Sequence, residues 1–533
     1  MFTSYGFVGF LLAVFVLYYI LPKRFQWGLL LIANFAFYYT AGKIYPLFIL
    51  ATALTVYVAG RLMGRQDEVL AAYNEKIKNG EMKKPSREEK KAYKKQINAK
   101  KKRVMLLCLF FNLGILAVLK YTNFVIQNVN SVMEMAGKDG FSYMDLVLPM
   151  GISFYTFQAV GYLLDVYWNK CEPQKNVFKF LLFVSFFPQL IQGPISRYSD
   201  LSKTLYEKHS FDWKQVRFGL ERILWGYFKK LVVADRISAA VVALMGDPEY
   251  YTGAFVIVGM LFYAIQLYAD FTGGIDITIG IAQVFGIRLE ENFIRPFFSK
   301  NIAEYWRRWH ITMGTWFRDY VFYPFSISRP LKNITTFCKK HFGMTVARRA
   351  AVYISSVIVW LATGIWHGAA WNFVAWGLTN GVIILISEEL TPLYERFHKA
   401  FPTLTASTFY RGFQVIRTFS LMCCIRLFDN YGSVRITCKQ FVRMFTRFDL
   451  SAVTKQEFLD LGLGMKDYAI VAMGVLLMFV VSMWGRNGSV REKISRKPYI
   501  IRYGIYVLLF FAVLLLGNYG VGFDAQQFIY NQF

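Results

Sequence analysis

The chain has 533 residues, of which 55% are hydrophobic before its 39 glycines are counted, and it carries a formal net charge of +27. That apolar share exceeds what a soluble core needs, so composition excludes a string of soluble domains and points to a membrane protein. The positive charge does not indicate nucleic acid, because the basic residues cluster in loops beside apolar stretches and no basic globular domain presents them. Orientation in a bilayer and attraction to anionic lipid account for it.

Uncharged apolar runs recur at 2–22, 25–42, 44–60, 104–119, 254–269, 468–485 and 503–523, each close to the length that crosses a hydrocarbon core of roughly 30 Å. No basic region precedes the first run, and Lys23 and Arg24 follow it, so it reads as an anchor and not as a cleaved signal. Positive charge tends to stay cytoplasmic, which puts the N-terminus outside and returns the chain to the inside at Arg61 after two further spans. The loop 61–103 agrees, with fifteen Lys or Arg against six Asp or Glu. Its stretch SREEKKAYKKQINAKKKR predicts a solvated helix.

Next come two apolar stretches broken by turn formers, 146–168 and 180–198. Pro188, Gly193 and Pro194 cannot continue a straight helix, and a re-entrant segment is expected there. Residues 219–237 mix charge with helically spaced apolar residues, the pattern of an interfacial helix. After the run at 254–269, Asp270, a break at Gly273 and Gly274, and Asp276 follow. Residues 291–325 are amphipathic, aromatic and basic, and are expected to lie at the membrane surface or dip into it, with His310 on a polar, aromatic surface helix. Two segments fill 351–387, an amphipathic stretch covers 391–445, and two spans follow. The expected fold is an all-α polytopic membrane protein in three sections: N-terminal spans over 1–145, a core over 146–390, and an amphipathic segment with C-terminal spans over 391–533.

Of five histidines, His209, His341 and His398 fall in polar, lysine-rich loops and are expected to face solvent. His367 is the one readily titratable group in 351–387, a run without Asp, Glu, Lys or Arg. It reads either as a core histidine bonded to a helix carbonyl or as a neutral base. Trp366 and Trp371 would wall it, while Gly364 and Gly368 would admit another backbone or a ligand and leave the site loosely filled. His310 follows Tyr305-Trp306-Arg307-Arg308-Trp309, which reads as an interfacial aromatic belt or as a positioning site. The two arginines fit an anionic donor, and they equally fit lipid headgroups. Asp270 and Asp276 need partners if embedded, and structural pairing is preferred over proton chemistry. The serines lack a nucleophile-elbow context and the six cysteines lack ligand spacing, so neither a nucleophilic serine nor a metal is expected.

The stretches FFPQLIQGPISR, GLERILWGYFKKLVVADR, YADFTGGIDITIGIAQVFGI, ENFIRPFFSKNIAEYWRRWHITMGTWFRDYVFYP, GIWHGAAWNFVAWG and GFDAQQFIYNQF together resemble the membrane-bound O-acyltransferase (MBOAT) family, in particular its alginate O-acetyltransferase-like branch. Asn531 departs from the aromatic expected near the end of the last stretch, which bears on partner docking. The resemblance implies ten to twelve spans with re-entrant and interfacial helices around a central tunnel. It places His367 on the catalytic histidine and His310 on a second functional position. Arg307 and Arg308, with Trp306 and Trp309, would hold the donor. Asp270, Gln189, Gln192, Trp366, Gly368 and Asn372 would line or support the tunnel. No bound cofactor is implied; the donor would be acetyl-CoA or an acyl-carrier thioester from the cytosol. The acceptor would be an extracytoplasmic glycan, reached directly or through a partner acetyltransferase, at a bacterial cell membrane. Two other readings are D-alanyl transfer from a carrier protein toward teichoic acid and, from the broken helices, a transporter or flippase.

Overall fold

The computed structural model describes residues 2–519, which form helices, turns and loops; among them no strand is present, and an isolated antiparallel bridge pairs Phe293 with Trp309. The terminal stretch GFDAQQFIYNQF, with Asn531, lies outside the described residues.

Among the described residues, six helices are long and apolar enough to cross a membrane: Tyr45–Lys78, Arg87–Met135, Ala254–Val284, Arg329–His367, Met465–Asn487 and Tyr499–Leu516. A seventh is added if Trp371–Glu389 and Thr391–Ala400, bent by 46°, count as one span. The chain is a multi-pass membrane protein. Ten to twelve spans are expected from the sequence, and the difference lies in helix length. Helices Tyr5–Ile20, Gln26–Ala41 and Ile152–Tyr167 have 16 residues each, about 24 Å at 1.5 Å per residue, less than a hydrocarbon core of roughly 30 Å.

The chain forms two compact units. One comprises Val8–Val216 and Phe285–Leu289. Within it the basic helix Arg87–Met135 begins at a capping box, where the Ser86 hydroxyl accepts from the Glu89 amide at 3.1 Å and the Glu89 carboxylate accepts from the Ser86 amide at 2.7 Å. Helix Val177–Ser185 stops at Phe186, a short turn Phe187–Leu190 carries Pro188, and 191–196 are buried without being helical. The buried Gln189 side chain is satisfied by its neighbours: its amide donates to the Gln158 side-chain carbonyl and its own carbonyl accepts from the Ser196 hydroxyl, both at 3.0 Å. Gln192 is also buried here. His209, expected in solvent, is partly buried, with Nε2 at 2.8 Å from the Thr204 carbonyl. His341 and His398 are exposed.

The other unit comprises Met1–Phe7, Arg217–Val284 and Glu290–Phe533. Its central helix Ala254–Val284 runs unbroken through Gly273 and Gly274, contrary to the expected break. Gly273 instead permits close approach, since a Cβ there would stand 2.9 Å from the Gly226 carbonyl. The partner segment is helical over Trp213–Tyr227, widens to a π-helix over Phe228–Ala234 and resumes over Asp235–Gly246. The sequence pattern places this segment at the interface, yet Phe228–Ala234 are buried. Carboxylates on neighbouring turns compensate its charges: Lys229 meets Asp276 at 2.6 Å, Lys230 meets Asp270 at 2.5 Å and Asp235 at 2.8 Å, and Arg222 meets Asp276 at 2.8 Å. Asp270 and Asp276 are therefore ion-paired.

Candidate active site

Helices Arg329–His367 and Trp371–Glu389 form a tight hairpin across the three-residue turn 368–370. Glycines set its closeness: a Cβ on Gly364 would stand 2.5 Å from the Phe373 carbonyl, and one on Gly377 would collide with the Trp360 carbonyl. A Cβ on Gly368 would collide with the Phe373 ring. These glycines mark closely packed backbone, so the expectation of a loosely filled site is corrected. The hairpin fixes His367, the last residue of its helix, against Trp376 at 4.5 Å and Trp366 at 5.2 Å between ring centroids. Trp366 is a wall as expected. Trp371 is 60% exposed, and the buried Trp376 is a further wall.

His367 opens on a cavity of about 20 Å³, room for about one water, whose lining includes Trp309, Phe373, Trp376, Arg426 and Asp429. Arg426 lies 4.3 Å over Trp309, donates to the Tyr305 hydroxyl at 3.2 Å and pairs with Asp429 Oδ2 at 3.0 Å. Burial pushes the Asp429 carboxyl up to about 6 against the opposing pull of Arg426. Its Oδ1 is buried with no hydrogen-bond partner among the described residues.

The segment 291–325, expected to lie at the membrane surface or dip into it, is an extended arm, two short helices and a π-turn. Ile294 donates to the Arg308 carbonyl and Ile311 to the Asn292 carbonyl, both at 3.0 Å, and these bonds bracket His310. His310 is fully buried, so its placement on a polar surface helix is also corrected. It caps helix Ile311–Phe317 at φ 47, ψ 53, the left-handed region that costs a residue other than glycine about 1–3 kcal/mol.

Asn292 determines what the His310 ring can do. Its Oδ1 accepts from the Thr312 amide at 3.0 Å and the Thr312 hydroxyl at 2.9 Å, and stands 3.3 Å from His310 Nδ1. A backbone amide only donates, so the shared atom is an acceptor and Nδ1 must carry the proton. Burial drives the His310 pKa down to about 3, so the ring is neutral at pH 7 and Nε2 holds the lone pair. His310 and His367 flank the same indole, with Trp366 6.1 Å from His310 and 5.2 Å from His367.

The arginines differ. Arg308 pairs with Glu304 at 2.5 Å, whereas Arg307 is exposed and has no ion pair among the described residues. The Trp306 indole donates to Asn380 at 3.2 Å and packs 5.6 Å from Trp376, so this side chain braces the hairpin. Asn372 braces it too, donating to the Phe428 carbonyl at 3.0 Å. Gln189 and Gln192 belong to the other compact unit.

Residues 173–431 match the model of MBOAT, the membrane-bound O-acyltransferase family, and both histidines fall inside the match. This segment belongs to the MBOAT family. The chain is 34% identical over 289 residues to the probable alginate O-acetylase AlgI of Azotobacter vinelandii, covering 54% of each chain. It is 32% identical over 344 residues to the peptidoglycan O-acetyltransferase of Helicobacter pylori, covering 59% of this chain and 61% of that one. It is 27% identical over 283 residues to the teichoic acid D-alanyltransferase of Bacillus subtilis, covering 52% of this chain and 68% of that one. The chain thus spans little more than half the length of the alginate relatives it matches.

Within this MBOAT segment, reading the sequence found both histidines and Trp366 but missed Asn292, Trp376, Arg426 and Asp429. The last pair had a faint signal, an arginine and an aspartate three apart in the otherwise apolar MCCIRLFDN. Asn292 had none, because its partner lies 20 residues away across an extended arm.

Proposed function

We propose that the chain is a membrane-embedded O-acyltransferase that moves an acetyl group from a cytosolic thioester, acetyl-CoA or an acyl-carrier thioester, to a hydroxyl acceptor. The observation that carries this reading is the pair of histidines around one buried indole within the MBOAT segment. His367 takes the proton of the acceptor hydroxyl, the oxygen attacks the thioester carbonyl, and the departing thiolate leaves with that proton. His310, held as the Nδ1–H tautomer, presents Nε2 to position the donor or a relay water. Packed tryptophans and a cavity of about 20 Å³ limit water near the thioester. Arg307, exposed and without an ion pair among the described residues, is available to a donor phosphate.

The acceptor is an extracytoplasmic glycan at a bacterial cell membrane, reached directly or through a partner acetyltransferase. The N-terminus lies outside and loop 61–103 is cytoplasmic, in keeping with its charge. Acetyl transfer is favoured over D-alanyl transfer by the higher identity to the acetylating relatives, 34% and 32% against 27%. A transporter is disfavoured because Asp270 and Asp276 are engaged in ion pairs.

The test is incubation of the membrane-reconstituted protein with labelled acetyl-CoA or acetylated carrier, followed by mass spectrometry of protein, partners and glycans. Label should reach a hydroxyl, and His367→Gln should lower the rate by roughly 10² to 10⁴, while His310→Gln keeps measurable turnover. Transfer of no label, or wild-type turnover by a folded His367→Gln variant, would overturn the reading.

A further inference from the structure

A cleft of about 280 Å³ lies beside the arm that carries His310, with Arg222, Lys229, Asp276, Glu291, Arg295 and Gly485 in its lining. Its carboxylates are already engaged: Asp276 by Arg222 and Lys229 at 2.8 and 2.6 Å, and Glu291 by Arg222 at 2.6 Å. Arg295 has no ion pair among the described residues. Two more guanidinium groups stand near it. Arg308 donates to the Arg295 carbonyl at 3.5 Å, and Arg486 follows Gly485 of the cleft wall. Partial burial, and after it the charges of Arg308 and Arg486, hold the Arg295 pKa below the usual arginine range.

Backbone geometry holds Arg295 there. Its φ of 46 and ψ of 57 lie in the left-handed region, and Pro296 follows it into the short turn Pro296–Phe298. Phe293, also in the cleft lining, packs 4.9 Å from Trp309 and 6.4 Å from His310 between ring centroids. The same arm therefore presents a cation to the cleft and His310 to the interior.

We propose that this cleft binds a phosphoryl anion through Arg295, assisted by Arg486. Guanidinium groups engage phosphate oxygens with paired N–H donors, and such an anion offsets the repulsion between Arg295 and Arg486. The same chemistry is offered by a phosphate of the thioester donor and by an anionic lipid headgroup. Between the spans Met465–Asn487 and Tyr499–Leu516 the chain holds Arg491, Lys493, Arg496 and Lys497 against Glu492, which puts this end on the cytoplasmic side, where a cytosolic donor arrives. The assignment to the donor rests on the acyl-transfer reading; the anion site itself does not.

The test measures binding of coenzyme A, and of pantetheine without phosphate, to the full chain in phosphatidylcholine nanodiscs. Retention of phosphatidylglycerol is followed in parallel by native mass spectrometry. Arg295→Gln should weaken coenzyme A by about tenfold or more and leave pantetheine unchanged, with Lys339→Gln as a control for net charge. If Arg295→Gln fails to fold, the exposed Arg486→Gln should give the same pattern with a smaller loss. Loss of coenzyme A binding assigns the site to the donor; loss of phosphatidylglycerol alone assigns it to lipid. Wild-type retention of both ligands by the folded variants, or binding of neither ligand by the wild type, overturns the proposal. Arg295-dependent coenzyme A binding by a protein that transfers no acyl group would sink the acyltransferase reading and leave the site standing.

Discussion

His310 combines a left-handed backbone with complete burial, and both features have consequences that can be measured. Its pKa of about 3 lies below the ordinary 6.5 because burial penalises the imidazolium. The unfolded chain therefore binds this proton first. The contribution of neutral His310 is complete above about pH 6.5 and is lost as pH falls toward about 3. Asp429 works in the opposite direction, since burial raises its carboxyl to about 6 and the folded chain takes up this proton before the unfolded chain does. His310→Gln should therefore flatten the fall in melting temperature on acidification, and Asp429→Asn should not. An acid slope identical to wild type in the His310 variant would show that the ring is not held neutral. The placement of His310 on a surface helix failed because the aromatic belt pattern of Trp306, Trp309 and His310 is the same whether such residues meet lipid or one another.

Among elements, the hairpin of Arg329–His367 and Trp371–Glu389 shows how small residues set the position of a reactive one. Gly364 and Gly377 meet backbone to backbone, with a Cβ at Gly377 only 3.0 Å from the Gly364 Cα. Gly377→Ala should force the helices apart, destabilising the protein by about 1–3 kcal/mol and displacing His367 from Trp376. Gly412, within helix Thr408–Ile425, has open space where a Cβ would stand, with nothing within 4 Å, so Gly412→Ala should be neutral or stabilising by up to about 1 kcal/mol. Melting curves of the two variants in one detergent decide this, and a Gly377→Ala variant as stable as Gly412→Ala would refute the close contact. The buried segment Phe228–Ala234 carries a related lesson. Its lysines read as interfacial until Asp270 and Asp276, some 40 residues on, are seen to neutralise them.

For the whole molecule, sidedness follows from charge. Loop 61–103 carries fifteen basic residues against six acidic ones, and the helix Arg87–Met135 that leaves it is exposed through most of its first turns. With the six native cysteines replaced, Lys91→Cys should react with an impermeant thiol reagent only after the membrane is opened. Labelling in intact cells would place the loop outside and reverse the proposed topology.

The sequence by itself determined the membrane class, the all-helical fold, the two histidines and the MBOAT resemblance, because hydropathy, helical spacing and short motifs are properties of contiguous residues. It also anticipated that Asp270 and Asp276 would need partners, since an unpaired carboxylate among apolar residues is costly wherever it sits. Tertiary structure alone decided which partners they take, that Trp376 walls His367, that Asn292 sets the tautomer of His310, and that Arg295 meets no carboxylate among the described residues. Those outcomes depend on which distant side chains packing brings within hydrogen-bond or van der Waals range, and hydropathy and spacing carry no information about that.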